Sequence, residues 1–498
     1  MVVAMPVLLA VGREQWFFFD EWALLLHRQE LTAEALLRPH NDHWITAPVL
    51  VYQALWHLFG LHTYRPYQLV VVVLHLAAVV LLRAVARRGG SSPWIATIVA
   101  LPFVVFGSGR EDILWAFQMT LTGSLVFGLA HLLLADHTGP VDRRDWAGLA
   151  AGLMGLMCSA LSIPLTMVVA GVVWVRRGAR YAILHSAPLA VVYGAWFLAY
   201  GSSAAHSYSS VDAALRFARN GLLHAAEGLG HVPFVGFGVI VLVATGTALA
   251  WRDRGTSRDP SRLAPAIGLA MLTLVFALAT GYTRGEEASP YLTRYTYLMA
   301  VPLLPLIAVS ISELWQRWRL IGALAVAGVL VGVPGNFRAL DPSGVEAFTL
   351  GQPRTVLIGA HLPVLRQLPA DAQPFDSWNP MSAGWLLDGV ASGKIPAAPA
   401  SSVQERLRLT LIASLRPTRG PVGSPCLPLS ATGEARAMVA GDTLSFTGGP
   451  LDVELVVPDG RGLPVTYAPD RPRLRVVAGP LQLRLRSTDA DWPVSICS

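Results

Sequence analysis

Four short runs in this chain carry the residue types that do acid–base, metal and phosphate chemistry. Phe17-Phe18-Phe19-Asp20-Glu21-Trp22 places an acidic pair behind an aromatic run, and His40-Asn41-Asp42-His43-Trp44 follows shortly after. Arg110-Glu111-Asp112 comes next, and late in the apolar part stand Arg284, Glu286 and Glu287, then Tyr291-Leu292-Thr293-Arg294-Tyr295. Carboxylates beside a bilayer are desolvated and repel one another, so they call for a metal, a cation or a substrate proton. A carboxylate can serve as a general base or hold a divalent cation, and the arginine fork suits phosphate.

The elements that must position these residues are membrane helices. The chain is 53% hydrophobic and 14% charged, with a mean hydropathy of +0.49. A soluble chain carries about 25% charged residues. The windows 67–82, 89–109, 113–135, 146–175, 181–211, 231–251, 263–283, 295–312 and 320–337 hold no Asp, Glu, Lys or Arg. A hydrocarbon core of about 30 Å needs roughly 20 apolar residues per helix. This is a polytopic α-helical membrane protein.

Arginine sets the orientation. Connectors holding Arg83/Arg87/Arg88, Arg143/Arg144, Arg176/Arg177/Arg180, Arg252/Arg254/Arg258/Arg262 and Arg317/Arg319 are assigned to the cytoplasm. Spans near 67–86, 93–109, 113–134, 182–200, 233–250, 263–281, 295–312 and 320–335 then alternate. Window 146–175 starts and ends at cytoplasmic arginines, so it goes in and returns, with Ser162-Ile163-Pro164 as the break. Each half is short for a span, so a re-entrant pair is the alternative. Segment 45–60 is expected to lie along the outer surface, with Trp44, Tyr52, Trp56 and His57 at the interface. Residues 1–11 are too short to cross. Either the first helix runs past Arg13-Glu14 into Phe17–Phe19, or the chain begins upstream. The expectation is about eleven spans, N-terminus in and C-terminus out. The multi-span domain covers 1–335, and its first outer loop, 13–66, includes the surface helix.

Beyond about Asn336 the apolar windows vanish, and 336–498 reads as a soluble domain outside the cytoplasm. A helical stretch around 345–368 is expected to precede a mostly β, sandwich-like part. Leu481, Leu483 and Leu485 alternate with Gln482, Arg484 and Arg486, and 451–457 and 444–446 are also strand-like. Of three cysteines, Cys158 falls in an apolar span and reads as core, while Cys426 and Cys497 fall in the outer domain, where an oxidising compartment permits a disulfide.

The net charge of +6 sits in the connectors, where topology and anionic lipid account for it, so it does not point to nucleic acid. No Walker loop, no G-x-G-x-x-G after a strand and no C-x-x-C pair occurs. A nucleotide-driven pump and a nucleotide-sugar enzyme with its own Rossmann domain are therefore unsupported.

At these residues the sequence resembles the GT-C superfamily of membrane glycosyltransferases, which use polyprenyl-phosphate-linked sugars, bacterial mannosyl- and arabinosyltransferases among them. Asp20-Glu21 closely follows the first helix. A surface helix follows, opened by His40–His43 and Pro48 and ending in Phe59-Gly60 before Tyr64-Arg65-Pro66-Tyr67. Glu111-Asp112 opens the next outer loop. The likeness covers about the first 135 residues; the short first helix and the order Asp-Glu depart from the pattern.

The resemblance implies a hexosyl- or pentosyltransferase of the plasma (inner) membrane. One carboxylate of Asp20/Glu21 would take the proton of an acceptor hydroxyl, on a cell-envelope glycan, lipid or protein. Lipid phosphate would leave, its charge balanced by Arg294 or a metal. His40, Asn41, Asp42, His43, Arg110, Glu111, Asp112, Arg284, Arg294 and Tyr295 are the candidate donor-binding residues. Asp20, Glu111 and His43 are the candidate ligands of a divalent cation, Mg, Mn or Ca. No nucleotide cofactor is needed, since the donor is already activated.

Each element also has a plainer role. Asp20/Glu21 can cap helix 22–27, and Glu111-Asp112 the helix from Ile113. His40 and His43 can be interfacial anchors, and Arg294 can snorkel to headgroups. A flippase or other transporter of lipid-linked sugars would place charges within spans and show internal repeats, and neither is seen. A non-enzymatic scaffold presenting the β domain would need no acidic clusters in the early loops.

Overall fold

The computed structural model describes residues 3–201, 208–232, 234–252, 260–286, 288–341, 352–375, 381–419, 421–430, 432–458, 460–488, 491 and 493–497. Arg254, Arg258, Glu287 and the start of the expected 345–368 helix lie outside them. The chain divides into two compact units. The first comprises Met1–Gln15, Arg28–Gln53 and Tyr64–Glu346; the second comprises Trp16–His27, Ala54–Thr63 and Ala347–Ser498.

Helices α1 (Ala4–Val11), α2 (Asp20–Leu26), α3 (Ala33–Leu37) and α4 (Thr46–Phe59) occupy the early part. Helix α1 stops at Val11, with Gly12 bonding back to Leu8, and does not run on into Phe17–Phe19. Helix α4 has 14 residues, about 21 Å at 1.5 Å per residue, and cannot cross a 30 Å core.

The later helices of the first unit are α5 (Arg65–Arg88), α6 (Pro93–Val104), α7 (Glu111–Leu114), α8 (Met119–Ala135), α9 (Arg143–Leu156), α10 (Ser162–Arg177), α11 (Ala179–Tyr200), α12 (Val211–Gly230), α13 (Val235–Arg252), α14 (Ala264–Arg284), α15 (Thr293–Ala300), α16 (Leu304–Arg317) and α17 (Arg319–Ala339). Among the described residues six helical stretches are long and apolar enough to cross a membrane: Arg65–Arg88, Ala116–Ala135, Ala179–Tyr200, Ser261–Arg284, Thr293–Arg317 and Arg319–Ala339. Pro93–Val104 and Gly238–Leu249 are shorter apolar helices. Prolines 66, 93, 265 and 305 sit in first turns, where the missing N–H has no helical partner to lose. A buried cluster including Val72, Val79, Val99, Leu129, Leu165, Leu272 and Ile307 joins these helices.

Window 146–175 is broken as its length requires, but at 157–161 rather than at the proline. Pro164 lies in the first turn of α10, and Met157 at the break accepts a hydrogen bond from Ala47 at the start of α4 (3.1 Å).

The charge-free windows skip residues 212–230, which fall in helix α12. Its 20 residues bury a face of Ala213, Ala214, Phe217, Ala218, Gly221 and Ala225. Ser209, just before it, donates to Tyr282 O in α14 (2.8 Å), and Gly228 near its end accepts from Asn336 in α17 (2.9 Å). It therefore runs from the C-terminal end of α14 to that of α17.

Among the described residues the second unit holds α18 (Gln352–Ala360), α19 (Ala383–Ala391), α20 (Val403–Ser414) and ten strands. These are β1 (Leu415–Thr418), β2 (Cys426–Pro428), β3 (Glu434–Met438), β4 (Thr443–Thr447), β5 (Leu451–Val457), β6 (Gly460–Arg461), β7 (Val465–Tyr467), β8 (Arg473–Val476), β9 (Leu481–Ser487) and β10 (Ser495–Cys497). One sheet has the order β1-β8-β4-β10-β2 and the other β3-β9-β5-β6, with β7 also on β5. Both contribute to one core, in which Leu481, Leu483 and Leu485 of β9 meet Leu444 and Phe446 of β4. Cys426 and Cys497 pair in register on β2 and β10 and form a disulfide, with Cα atoms 4.0 Å apart.

Candidate active site

In the second unit, Asp20 and Glu21 form the first turn of α2. They are not equivalent. Glu21 is fully buried and accepts a hydrogen bond from Phe18 N–H at 2.7 Å, which closes the turn before the helix. Asp20 is half-buried. Phe19, immediately before it, has φ 48° and ψ −111°, a conformation that costs a bulky residue of order 1–3 kcal/mol. Aromatic packing holds this strained turn in place. Trp22 packs against Trp16, Phe17 and Trp385, with ring centroids 5.3, 5.6 and 6.3 Å apart. Trp385 in α19 also stacks on Trp56 at 5.2 Å. Leu61 N–H donates to Lys394 O (2.8 Å), and Gly60, at φ +51°, has no room for a Cβ beside that carbonyl.

In the first unit, His40-Asn41-Asp42-His43 is a two-residue hairpin. His40 and His43 exchange backbone hydrogen bonds of 3.0 and 2.9 Å, and Asn41 (φ 47°) and Asp42 (φ 65°) turn the chain. Asn and Asp tolerate that left-handed region better than most residues. Arg28 organises the loop leading in. Its guanidinium is buried and donates to the carbonyls of Ala35 and Arg38 (both 2.8 Å) and Pro39 (3.0 Å), and burial lowers its pKa to about 10. Trp44 stacks on Trp196 of α11 at 5.4 Å, while Trp196 donates to Leu37 O at 2.8 Å. Burial, then the charge of Arg284, lowers the His43 pKa to about 4, so its imidazole is neutral and feels the end of α14.

The other grouping lies between the α6–α8 connection and the start of α15. Arg294 Nη1 lies 3.4 Å from Glu111 Oε2, and its guanidinium is 5.3 Å from the Tyr295 ring centroid. Glu111 N–H also approaches Thr293 Oγ1 at 3.4 Å. Asp112 is fully buried, and neither of its carboxyl oxygens has a hydrogen-bond partner among the described residues. Burial, then the neighbouring Glu111, pushes its pKa well above the usual carboxylate range, with Arg294 opposing. Arg110 Nε likewise has no partner among the described residues. The connection is gripped from behind. Gly107 has no room for a Cβ beside Asn336 O, and Ser108 bonds to both Asn336 Oδ1 (3.2 Å) and His231 Nε2 (2.8 Å).

The sequence-derived residues thus fall into three local groups: Asp20 and Glu21; His40–His43 with Arg284; and Arg110–Asp112 with Arg294 and Tyr295. Arg28, the support of the second group, gave no signal, since a lone arginine in a polar loop reads as solvated. Among the described residues, the group of metal-ligating types with ligand atoms within 4.8 Å of one another is His137, Asp142 and Asp145. That spacing could hold a metal ion, but Asp145 already lies 2.5 Å from Arg177.

No protein-family model and no curated protein matches the chain. Among solved structures it is similar to ArnT from Cupriavidus metallidurans bound to undecaprenyl phosphate, at 16% identity and a TM-score of 0.48, over 78% of this chain and 83% of that one. ArnT from the same organism in the apo state gives 13% identity and a TM-score of 0.46, over 78% and 84%.

Proposed function

We propose that this chain is an integral membrane glycosyltransferase that moves a sugar from a polyprenyl-phosphate donor to an acceptor hydroxyl outside the cytoplasm. The acceptor would be a cell-envelope glycan, lipid or protein. The chain would reside in the plasma membrane, with the β domain on the same outer side. The observation that carries the reading is the Glu111–Arg294 pair beside the buried, unpartnered Asp112. Perturbed, incompletely satisfied carboxyls concentrate at functional sites.

Asp20 is the proposed general base, because Glu21 is committed to the Phe18 N–H and Asp20 keeps solvent access. It accepts the proton of the acceptor hydroxyl as oxygen bonds to the anomeric carbon. The bond from that carbon to the phosphate oxygen breaks, and the lipid phosphate leaves as an anion. Arg294 offers it a planar fork of donors, and Glu111 keeps that fork oriented between turnovers. Burial disfavours the charged form of Asp112, which limits the negative charge beside the departing phosphate.

The test is transfer by the purified, full-length protein. Asp20→Asn should lower the transfer rate by about 10²–10⁴-fold with the protein still folded, as expected for a lost general base. Glu21→Gln should act instead on stability, through the turn it closes. Comparable rate losses at Glu21 and none at Asp20 would reverse the assignment.

A further inference from the structure

At the arginine-rich end of the first unit, the helix ends line an open cavity of about 370 Å³ bounded by Arg87, Arg88, Arg144, Arg176 and Arg262 with Asp136. Two carboxylates answer these five guanidiniums. Asp136 lies 2.6 Å from Arg176 and 3.4 Å from Arg88, and Asp142 lies 2.7 Å from Arg144. Arg87 and Arg262 have no carboxylate partner among the described residues. The cavity therefore keeps an excess of positive charge presented as guanidinium forks, the geometry that phosphate oxygens match.

An apolar cleft begins where this cavity ends. It is about 830 Å³ and runs between α10 and α14, from Pro164 to Val175 on one side and from Val275 to Ser261 on the other. Val175 precedes Arg176 and Ser261 precedes Arg262, so the cleft reaches the rim of the cationic cavity. A second apolar cleft, about 700 Å³, follows the α10–α11 seam and shares Met167, Gly171 and Trp174 with the first. The two clefts thus flank α10.

We propose that this end of the protein holds a two-chain anionic phospholipid, its phosphate among Arg87, Arg176 and Arg262 and its acyl chains in the clefts beside α10. Charge complementarity selects the headgroup, and the paired clefts fit two hydrocarbon chains better than one isoprenoid chain. None of these residues belongs to the proposed transfer machinery, so the inference stands or falls separately from it.

Native mass spectrometry of the full-length protein, titrated with phosphatidylglycerol, phosphatidylcholine, polyprenyl phosphate or inorganic phosphate, tests this. Phosphatidylglycerol should be retained in preference to the other three. At about fivefold per arginine, Arg87→Gln with Arg262→Gln should weaken it roughly 30-fold. Gly171→Phe, at a position with open space around it, should also weaken retention by filling the shared cleft. Arg319→Gln, on α17, should change nothing. Equal retention of phosphatidylcholine, a preference for polyprenyl phosphate, displacement by inorganic phosphate, or unchanged binding by either cavity or cleft variant would overturn the proposal.

Discussion

Asp145 and Asp112 are both fully buried in the first unit, and their surroundings treat them in opposite ways. Asp145 begins α9 at the arginine-rich end and is surrounded by donors. Arg177 Nη1 lies at 2.5 Å, His185 Nε2 at 2.9 Å, Asp142 N–H at 2.8 Å and His137 Nε2 at 3.1 Å. His185 donates from Nε2, which leaves Nδ1 to accept from His131 Nε2–H at 3.0 Å. Burial raises the Asp145 pKa, but Arg177, the Asp142 N–H and His185 outweigh it and hold the carboxyl below the usual range. Asp112 has no such partners among the described residues, and burial pushes its pKa well above the usual carboxylate range. A buried charge that is fully satisfied belongs to the scaffold. A buried acid left unpartnered points to function, because stability alone would remove it.

The largest expected effect breaks the satisfied end. Arg177→Ala leaves the Asp145 carboxylate buried without its main counter-charge and should cost about 3–5 kcal/mol in unfolding or detergent-inactivation experiments. The folded fraction should keep its transfer rate; a selective loss of rate would move Asp145 into the site.

Arg294→Lys should raise the donor KM by about tenfold with little effect on stability, because a point charge cannot replace the bidentate fork. An unchanged KM would leave Arg294 as a headgroup anchor.

The smallest effect is one of sign. Asp112 has its folded pKa raised above the ordinary 3.8, so its unfavourable contribution is absent below that pH and grows as pH rises above it. Asp145 has its folded pKa depressed, so it contributes stability above 3.8 that is lost as pH falls through the folded value. Relative to the parent, Asp112→Asn should therefore gain stability as pH rises above about 4, whereas Asp145→Asn should stand at a constant disadvantage above that pH and recover as pH falls below it. Parallel curves for the two variants would erase the contrast between the ends.

Much of the architecture was legible because membrane and strand periodicities are strong signals. The charge-free windows became helices, and 451–457 and the alternating leucines near 481 became strands. Helix α12 escaped because Asp212, Arg216, Arg219 and Glu227 interrupt its apolar residues, so no window flagged it, although its buried face repeats at helical spacing. The residue types at His40–His43 suggest side-chain chemistry, whereas their first role is conformational. Two adjacent residues suited to the left-handed region were the available sign of a hairpin. The difference between Asp20 and Glu21 was not legible, since it depends on a backbone turn at Phe19 that aromatic packing holds in place.

The central claim is tested most directly by giving the purified protein a radiolabelled polyprenyl-phosphate sugar, an envelope-derived acceptor fraction and no nucleotide. Release of lipid phosphate and label in the acceptor are then followed together. The account predicts one lipid phosphate released per sugar transferred by the parent protein, with both signals falling about 10²–10⁴-fold in Asp20→Asn. Transfer at the parent rate by Asp20→Asn, Glu21→Gln and the double variant would contradict it.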